Sequence, residues 1–288
     1  MKKFFLISLL LVSNFIANNV YAACSGSDCC TLNSGVVTFP DSDSCSIEPD
    51  SYSITMYKMY LCTSQPTAPT TLAITGYTSA GCVKALAAET SGSAVTITPA
   101  GAAQTFAGAS FTRPPNGVYT HGVMLIDNVF TIKLDREFDD TLTGLGNSST
   151  GKYCATMAGT GNESAGSSMA CSSTDNLTAG AWGAILTSFD GSGSFTTSVT
   201  ATNLNGTGAS ISGHLVNSDE KIAGARETVD KLIGIQTFAS PLVITKDFKG
   251  LDVAFGINQG STCWDGGGSN IIECGSGPFQ AIMTPINY

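Results

Sequence analysis

The stretch of sequence that decides the fold is residues 118–134, which read VYTHGVMLIDNVFTIKL. On both sides of Asp127 and Asn128, apolar residues alternate with polar ones or form short β-branched runs, and neither side is long enough for a typical helix. Asp and Asn accept the positive φ angles of a tight primed turn. The sequence therefore predicts a β-hairpin with strands Val118 to Ile126 and Val129 to Leu134.

Similar β-type runs recur along the chain, and Gly, Ser and Asn separate most of them. The composition agrees with this pattern: 12% of the residues are charged, 42% are hydrophobic, and Thr outnumbers Lys and Arg together. We expect a mainly β protein of antiparallel β-sandwich type, with one or two sandwiches. The further predicted strands are Val36 to Phe39, Tyr52 to Leu61, Ala94 to Thr98, Trp182 to Phe189, Phe195 to Thr202, Leu242 to Thr245, Leu251 to Ile257 and Phe279 to Ile286.

One segment departs from the β pattern. Between residues 218 and 233 the apolar residues recur at helical spacing, with Asn217 placed as an N-cap and Gly234 as a stop. We expect one short amphipathic helix near 218–233, and a helix that covers its own core is commoner than one that binds a partner.

The chain divides into four predicted parts. Residues 1–22 are expected to be a signal peptide, and residues 23–140 an N-terminal β-rich region. Residues 141–180 are rich in Gly, Ser and Thr and are expected to be a long loop or linker. Residues 181–288 are expected to be a C-terminal β-rich region that contains the helix.

The N-terminus has the three parts of a Sec-type signal: Lys2 and Lys3, an apolar run from Phe4 to Ile16, and a small residue at Ala22. A lipoprotein signal ending at Cys24 is the alternative. No later stretch has eighteen uninterrupted apolar residues, so we expect no transmembrane helix in the mature chain. The expected location is extracellular, at the cell surface or in the periplasm.

Charge excludes two classes of partner. Without residues 1–22 the chain keeps 11 basic and 22 acidic residues, a net charge of about −11. Phosphate backbones and anionic lipids repel such a surface, so we expect no nucleic-acid partner.

Ten cysteines follow the expected cleavage site, an even number that is typical of disulfides in an exported chain. Short loops close most easily, which favours pairing between neighbours in sequence. We predict five disulfides: Cys24 with Cys29, Cys30 with Cys45, Cys62 with Cys82, Cys154 with Cys171, and Cys263 with Cys274.

Two groups of residues are candidates for binding. Asp135, Glu137 and Asp139 would lie on one face of an extended strand, where their oxygens could hold Ca²⁺. A solvated, charged sheet edge is the alternative. Trp264 lies between Cys263 and Cys274 and could present an aromatic face to a sugar or protein; a tryptophan that caps the core is the alternative.

Motifs of catalysis are missing from the sequence, since it contains no Gly-x-Ser-x-Gly elbow and no complete phosphate loop. We therefore expect a non-catalytic protein without a cofactor, apart from the Ca²⁺ candidate. The predicted function is a structural or adhesive protein of a bacterial cell surface, similar to a fimbrial or surface-layer subunit, with other surface proteins, copies of itself or glycans as partners. A secreted ligand- or glycan-binding module, an outer-membrane barrel and a hydrolase are the alternatives.

Overall fold

The computed structural model describes residues 29–39, 44–70, 80–88, 91–99, 101–162, 168–190, 194–204, 207–265 and 269–288. The predicted signal peptide and Cys24 lie outside these ranges. The described part is nearly all β. Its strands are β1 Thr31–Asn33, β2 Val36–Thr38, β3 Ser44–Ile47, β4 Ser51–Cys62, β5 Cys82–Ala87, β6 Ser93–Ile97, β7 Ser110–Phe111, β8 Gly117–Asp127, β9 Val129–Lys133, β10 Asp135–Gly144, β11 Ser149–Thr156, β12 Gly159–Asn162, β13 Met169–Ser172, β14 Trp182–Ile185, β15 Ser198–Leu204, β16 Ala209–Val216, β17 Lys231–Ile244, β18 Phe248–Gly256, β19 Ser261–Trp264, β20 Ile271–Ser276 and β21 Gln280–Asn287.

The strands form three sheets. The large sheet has eleven strands and runs in the order β12-β14-β9-β4-β8-β17-β16-β15, with β5 and β6 also paired to β4, and β7 to β5. The second sheet has eight strands in the order β1-β2-β10-β20-β19-β3, with β11 and β13 attached through β10. β18 and β21 form a two-stranded sheet. Most pairs are antiparallel, and the parallel pairs are β2–β10, β10–β20 and β12–β14.

The sheets pack around a common core, as in a sandwich. Every second residue of β4 is buried over its first half, which is the pattern of a strand with one face on a core. Met56 of β4, Phe138 of β10 and Phe255 of β18 belong to the same buried cluster, although they come from three different sheets. The mainly β sandwich expected from the sequence is confirmed.

The hairpin predicted for residues 118–134 is wrong, although both of its strands exist. β8 pairs with the second half of β4, and β9 pairs with the first half, so the two strands follow one another along the same edge of β4. Neither Asp127 nor Asn128 has a positive φ. Asn128 is buried, its backbone carbonyl accepts a hydrogen bond from Leu186 N, and its side-chain amide donates to Leu186 O. The chain therefore continues through Asn128 where a turn was expected.

The helix predicted near 218–233 is also wrong. The described part of the chain holds a single helical turn, a 3-10 helix at Arg226–Thr228, and β17 begins at Lys231. Asn217 caps a tight turn, since its Oδ1 accepts hydrogen bonds from the backbone N of Asp219 and of Lys221. The apolar end of the segment pairs with both β16 and β8, and this pairing overrides the helical spacing.

Residues 141–180, expected as a loop or linker, contain the end of β10 and all of β11, β12 and β13. The regions on either side of this segment share sheets, because β8 pairs with β17 and β3 pairs with β19. The strands of this segment could not be predicted from the sequence, because its many Gly, Ser and Thr residues give little alternation between apolar and polar positions.

Four disulfides join Cys30 to Cys45, Cys62 to Cys82, Cys154 to Cys171, and Cys263 to Cys274, and these are four of the predicted pairs. The last three each join residues directly opposite one another on neighbouring strands. Cys29 is also disulfide-bonded, while its predicted partner Cys24 lies outside the described residues. Such a set of disulfides is typical of proteins that fold outside the reducing cytoplasm.

Candidate functional site

One end of the large sheet is formed by β15, and no described strand pairs with its outer edge. β15 pairs only with β16 among the described strands. Leu215 N donates a hydrogen bond to Thr197 O. Because every second residue of an antiparallel strand bonds to the same neighbour, Thr197, Val199 and Ala201 direct their backbone groups to β16. The backbone N–H and C=O groups of Ser198 and Thr200 therefore point away from the sheet, and the ladder becomes irregular after Ala201.

The sequence of β15, SVTATNL, contains no charge, proline or glycine. Its first three residues are exposed, and Val199 is 44% exposed. Native edge strands usually carry charged residues, prolines or a covering segment that prevents pairing with another chain. β18 and β21 have such features, with Lys249 and Asp252 on β18 and Pro285 on β21. β15 carries neither charge nor proline, and no strand of the described part of the chain pairs with its outer edge.

An apolar pocket of about 320 Å³ lies beside this edge, between the large sheet and the segment that leads into β21. Its aromatic wall consists of Tyr52, Phe130, Phe189 and Phe279. Val199 and Ala201 of β15 also line it, on the face of the strand opposite to Thr200. No charged side chain from the described ranges lines the pocket. A cavity of this size and lining is suited to an uncharged, mostly apolar molecule.

The aromatic wall is held by mutual packing. The ring of Phe279 lies 5.6 Å from that of Tyr52 and 6.4 Å from that of Phe130, measured between centroids. The hydroxyl of Tyr52 donates to Gly277 O at 3.2 Å, which ties the chain before β21 to β4. The segment that leads into the C-terminal strand therefore forms part of the pocket.

Both histidines lie in strands and are buried, and burial lowers the pKa of each. The Nδ1 of His214 lies 2.9 Å from Ser198 Oγ, and the Nδ1 of His121 lies 2.8 Å from Thr120 Oγ1. The Nε2 of His214 is buried without a hydrogen-bond partner among the described residues. A serine–histidine pair without an orienting carboxylate lacks the third member that catalytic triads use.

The calcium candidates lie along β10. The backbone N of Asp135 donates to Asp50 Oδ2 at 2.8 Å, and Asp139 Oδ2 accepts from Thr38 Oγ1 at 2.6 Å. Burial raises the pKa of Asp135, and the nearby carboxylates of Asp175 and Asp50 raise it further. Glu137 is partly exposed. Within the described ranges, no three His, Cys, Asp or Glu side chains are arranged to hold a metal ion, so the calcium site stays a prediction.

Trp264 is 44% exposed at the end of β19, so it does not cap the core as the alternative expectation proposed. It lies opposite Ser44 of β3 and Glu273 of β20. Burial raises the pKa of Glu273. A role of Trp264 in contact with a sugar or protein stays a prediction.

The pattern of residues 195–202 predicted a strand where β15 lies, but it indicated neither the edge position of that strand nor the pocket. Alternation in the sequence indicated which residues share a face, whereas the neighbours of each strand depend on the order of strands in the sheet. The feature of the sequence that could have indicated an unprotected edge was the absence of charged residues and proline from β15.

Comparison of the chain with family models, with curated proteins and with solved structures found no match. The fold and the two features at β15 thus define the chain as a disulfide-bonded, all-β protein with an open sheet edge. Over the described residues, no helix is long and apolar enough to span a membrane.

Proposed function

We propose that the chain is an exported, non-catalytic subunit of a bacterial cell surface that associates with copies of itself through β15. The observation that carries this proposal is the outward edge of β15, where the backbone groups of Ser198 and Thr200 have no partner strand among the described residues. Strand addition at such an edge is a common mode of association between proteins.

A second copy is the partner that the edge suits best. Two β15 strands can pair antiparallel about a two-fold axis through Thr200, which places Thr200 opposite the Thr200 of the second copy and Ser198 opposite its Thr202. The outward groups of the two Thr200 residues then form about two backbone hydrogen bonds. Threonine opposite threonine is a favourable cross-strand pair.

Charge is also compatible with this contact. The chain carries a formal net charge of −9, so most parts of its surface repel a second copy. β15 has no charged residue, and its pairing therefore brings no like charges of the strand together. Disulfides that resist unfolding suit a subunit outside the cell.

The test uses charge at the centre of the proposed two-fold contact. Thr200→Lys places two like charges opposite one another, and Thr200→Glu does the same with the opposite sign. We expect each variant alone to weaken self-association by about fivefold or more. An equal mixture of the two variants should associate again, since Lys then lies opposite Glu. Sedimentation velocity of the oxidised, purified chain measures the association.

Thr112→Lys is the matched control, because Thr112 is exposed and lies away from β15. It adds the same charge and should associate like the parent chain. A parent chain that stays monomeric at high concentration would refute the proposal. So would a Thr200→Lys variant that associates as strongly as the parent.

A further inference from the structure

The pocket beside β15 owes part of its space to two glycines. Gly213 of β16 and Gly234 of β17 are directly opposite one another in the sheet, and both line the pocket. Neither has a positive φ, so the backbone conformation does not require glycine at either position. Glycine in a strand interior is unfavourable for stability, and it often marks a site where another group approaches the backbone closely.

Side chains at these two positions would meet the walls of the pocket. A Cβ atom on Gly213 would lie 2.9 Å from Cζ of Phe189, and a Cβ atom on Gly234 would lie 3.1 Å from Cδ1 of Ile211. The glycine pair therefore allows Phe189 and Ile211 to pack closely against the backbone at the floor of the pocket. A larger residue at Gly213 or Gly234 would displace Phe189 or Ile211 from its present position.

The lining determines the chemistry of an occupant. Aromatic and aliphatic side chains form most of the wall, and the hydroxyls of Thr262 and Ser276 form its polar part. Because no charged side chain of the described residues lines the pocket, an ionic ligand would lose its hydration without an ion pair in return. An apolar cavity of about 150 Å³ can hold benzene, so the pocket of about 320 Å³ has room for a larger molecule.

We infer that this pocket binds a small, uncharged, largely apolar molecule of about two fused or linked rings, or a short aliphatic chain, with at most one hydrogen-bonding group. Entry is at β15, where Val199 is 44% exposed and Ala201 is partly exposed. Binding of a molecule in this pocket is independent of self-association, because the side chains that line the pocket and the side chain of Thr200 lie on opposite faces of β15.

The experiment titrates the purified full chain with N-phenyl-1-naphthylamine, an uncharged dye that fluoresces in apolar surroundings. We expect saturable binding of one dye per chain and a rise of the melting temperature with dye concentration, as mass action requires. Ala201→Trp fills the pocket from β15 and should weaken dye binding by about tenfold or more.

Thr200→Trp is the matched control, since it adds the same side chain to the opposite face of the strand and should bind the dye like the parent. Near-UV circular dichroism establishes that each variant is folded, and Val199→Phe replaces Ala201→Trp if the latter is not. Thr200→Lys should keep dye binding even when it loses self-association, which separates this inference from the proposed function. Absence of saturable binding by the parent, or equal binding by the filled variant, would overturn the inference.

Discussion

Gln236 offers the sharpest test of how the sheets are joined. It lies on β17 and is 1% exposed. Its side-chain Nε2 donates to Ala281 O at 2.8 Å, and its Oε1 accepts from Ala281 N at 2.9 Å. The amide thus pairs with the backbone of β21 as a neighbouring strand would, and it links β21 to the large sheet.

Gln236→Leu removes both hydrogen bonds and leaves the N–H and C=O of Ala281 buried without these partners. Each unsatisfied group costs about 1–3 kcal/mol, so the loss is about 4 kcal/mol. The added apolar surface of Leu returns about 1–2 kcal/mol. The expected net loss in the free energy of unfolding is therefore about 2–3 kcal/mol, or a fall in melting temperature of roughly 5–10 °C for a chain of this size.

Urea unfolding followed by circular dichroism measures the change, and Gln65→Leu on an exposed residue is the control with the same substitution. Gln236→Glu adds a test with pH. Burial raises the pKa of the introduced carboxyl above its unfolded value near 4.3, so the folded state binds more protons and this variant gains stability as pH falls towards 4. A Gln236→Leu variant within about 0.5 kcal/mol of the parent would refute the reasoning.

Three further predictions concern pH, the C-terminal strand and metal. Burial lowers the pKa of His121 and His214 below the unfolded value near 6.5, so the unfolded state binds more protons and stability falls as pH drops below about 6.5. Substitution of both histidines by Gln should reduce this pH dependence in thermal melts; an unchanged dependence would contradict the assignment. Deletion of residues 279–288 removes Phe279 from the aromatic wall and should unfold the chain, and a deleted chain with parental near-UV circular dichroism would show otherwise. EDTA should leave the melting temperature nearly unchanged; a large shift that Ca²⁺ restores and Asp135→Ala abolishes would establish a calcium site.

The sequence by itself determined the features that depend on near neighbours. Disulfide pairs such as Cys263–Cys274 could be predicted because a short loop costs little entropy to close. Alternation of apolar residues located β4, β8 and β9 because side chains in a strand point to opposite faces at every step. Both signals are carried by residues within about twenty positions of one another.

The tertiary structure decided which strands became neighbours, and this overruled the local signals in three places. At Asn128 the long strand β4 pairs with both flanking strands, so the chain runs on where Asp and Asn indicated a turn. After Asn217, pairing with β8 and β16 outweighs the helical spacing of residues 218–233. Residues 141–180 form strands because their backbone groups pair with strands elsewhere in the chain, such as β20 and β14, and with one another.

The same reason explains why the candidate site could not be predicted from the sequence. β15 has no second neighbour among the described strands because it is the last strand of its sheet, and the pocket brings together Gly213, Gly234 and Phe279. These contacts join residues that are far apart in the sequence. Local propensity contributes little to such pairings, since their free energy comes from burial and backbone hydrogen bonds that form only when the sheets assemble.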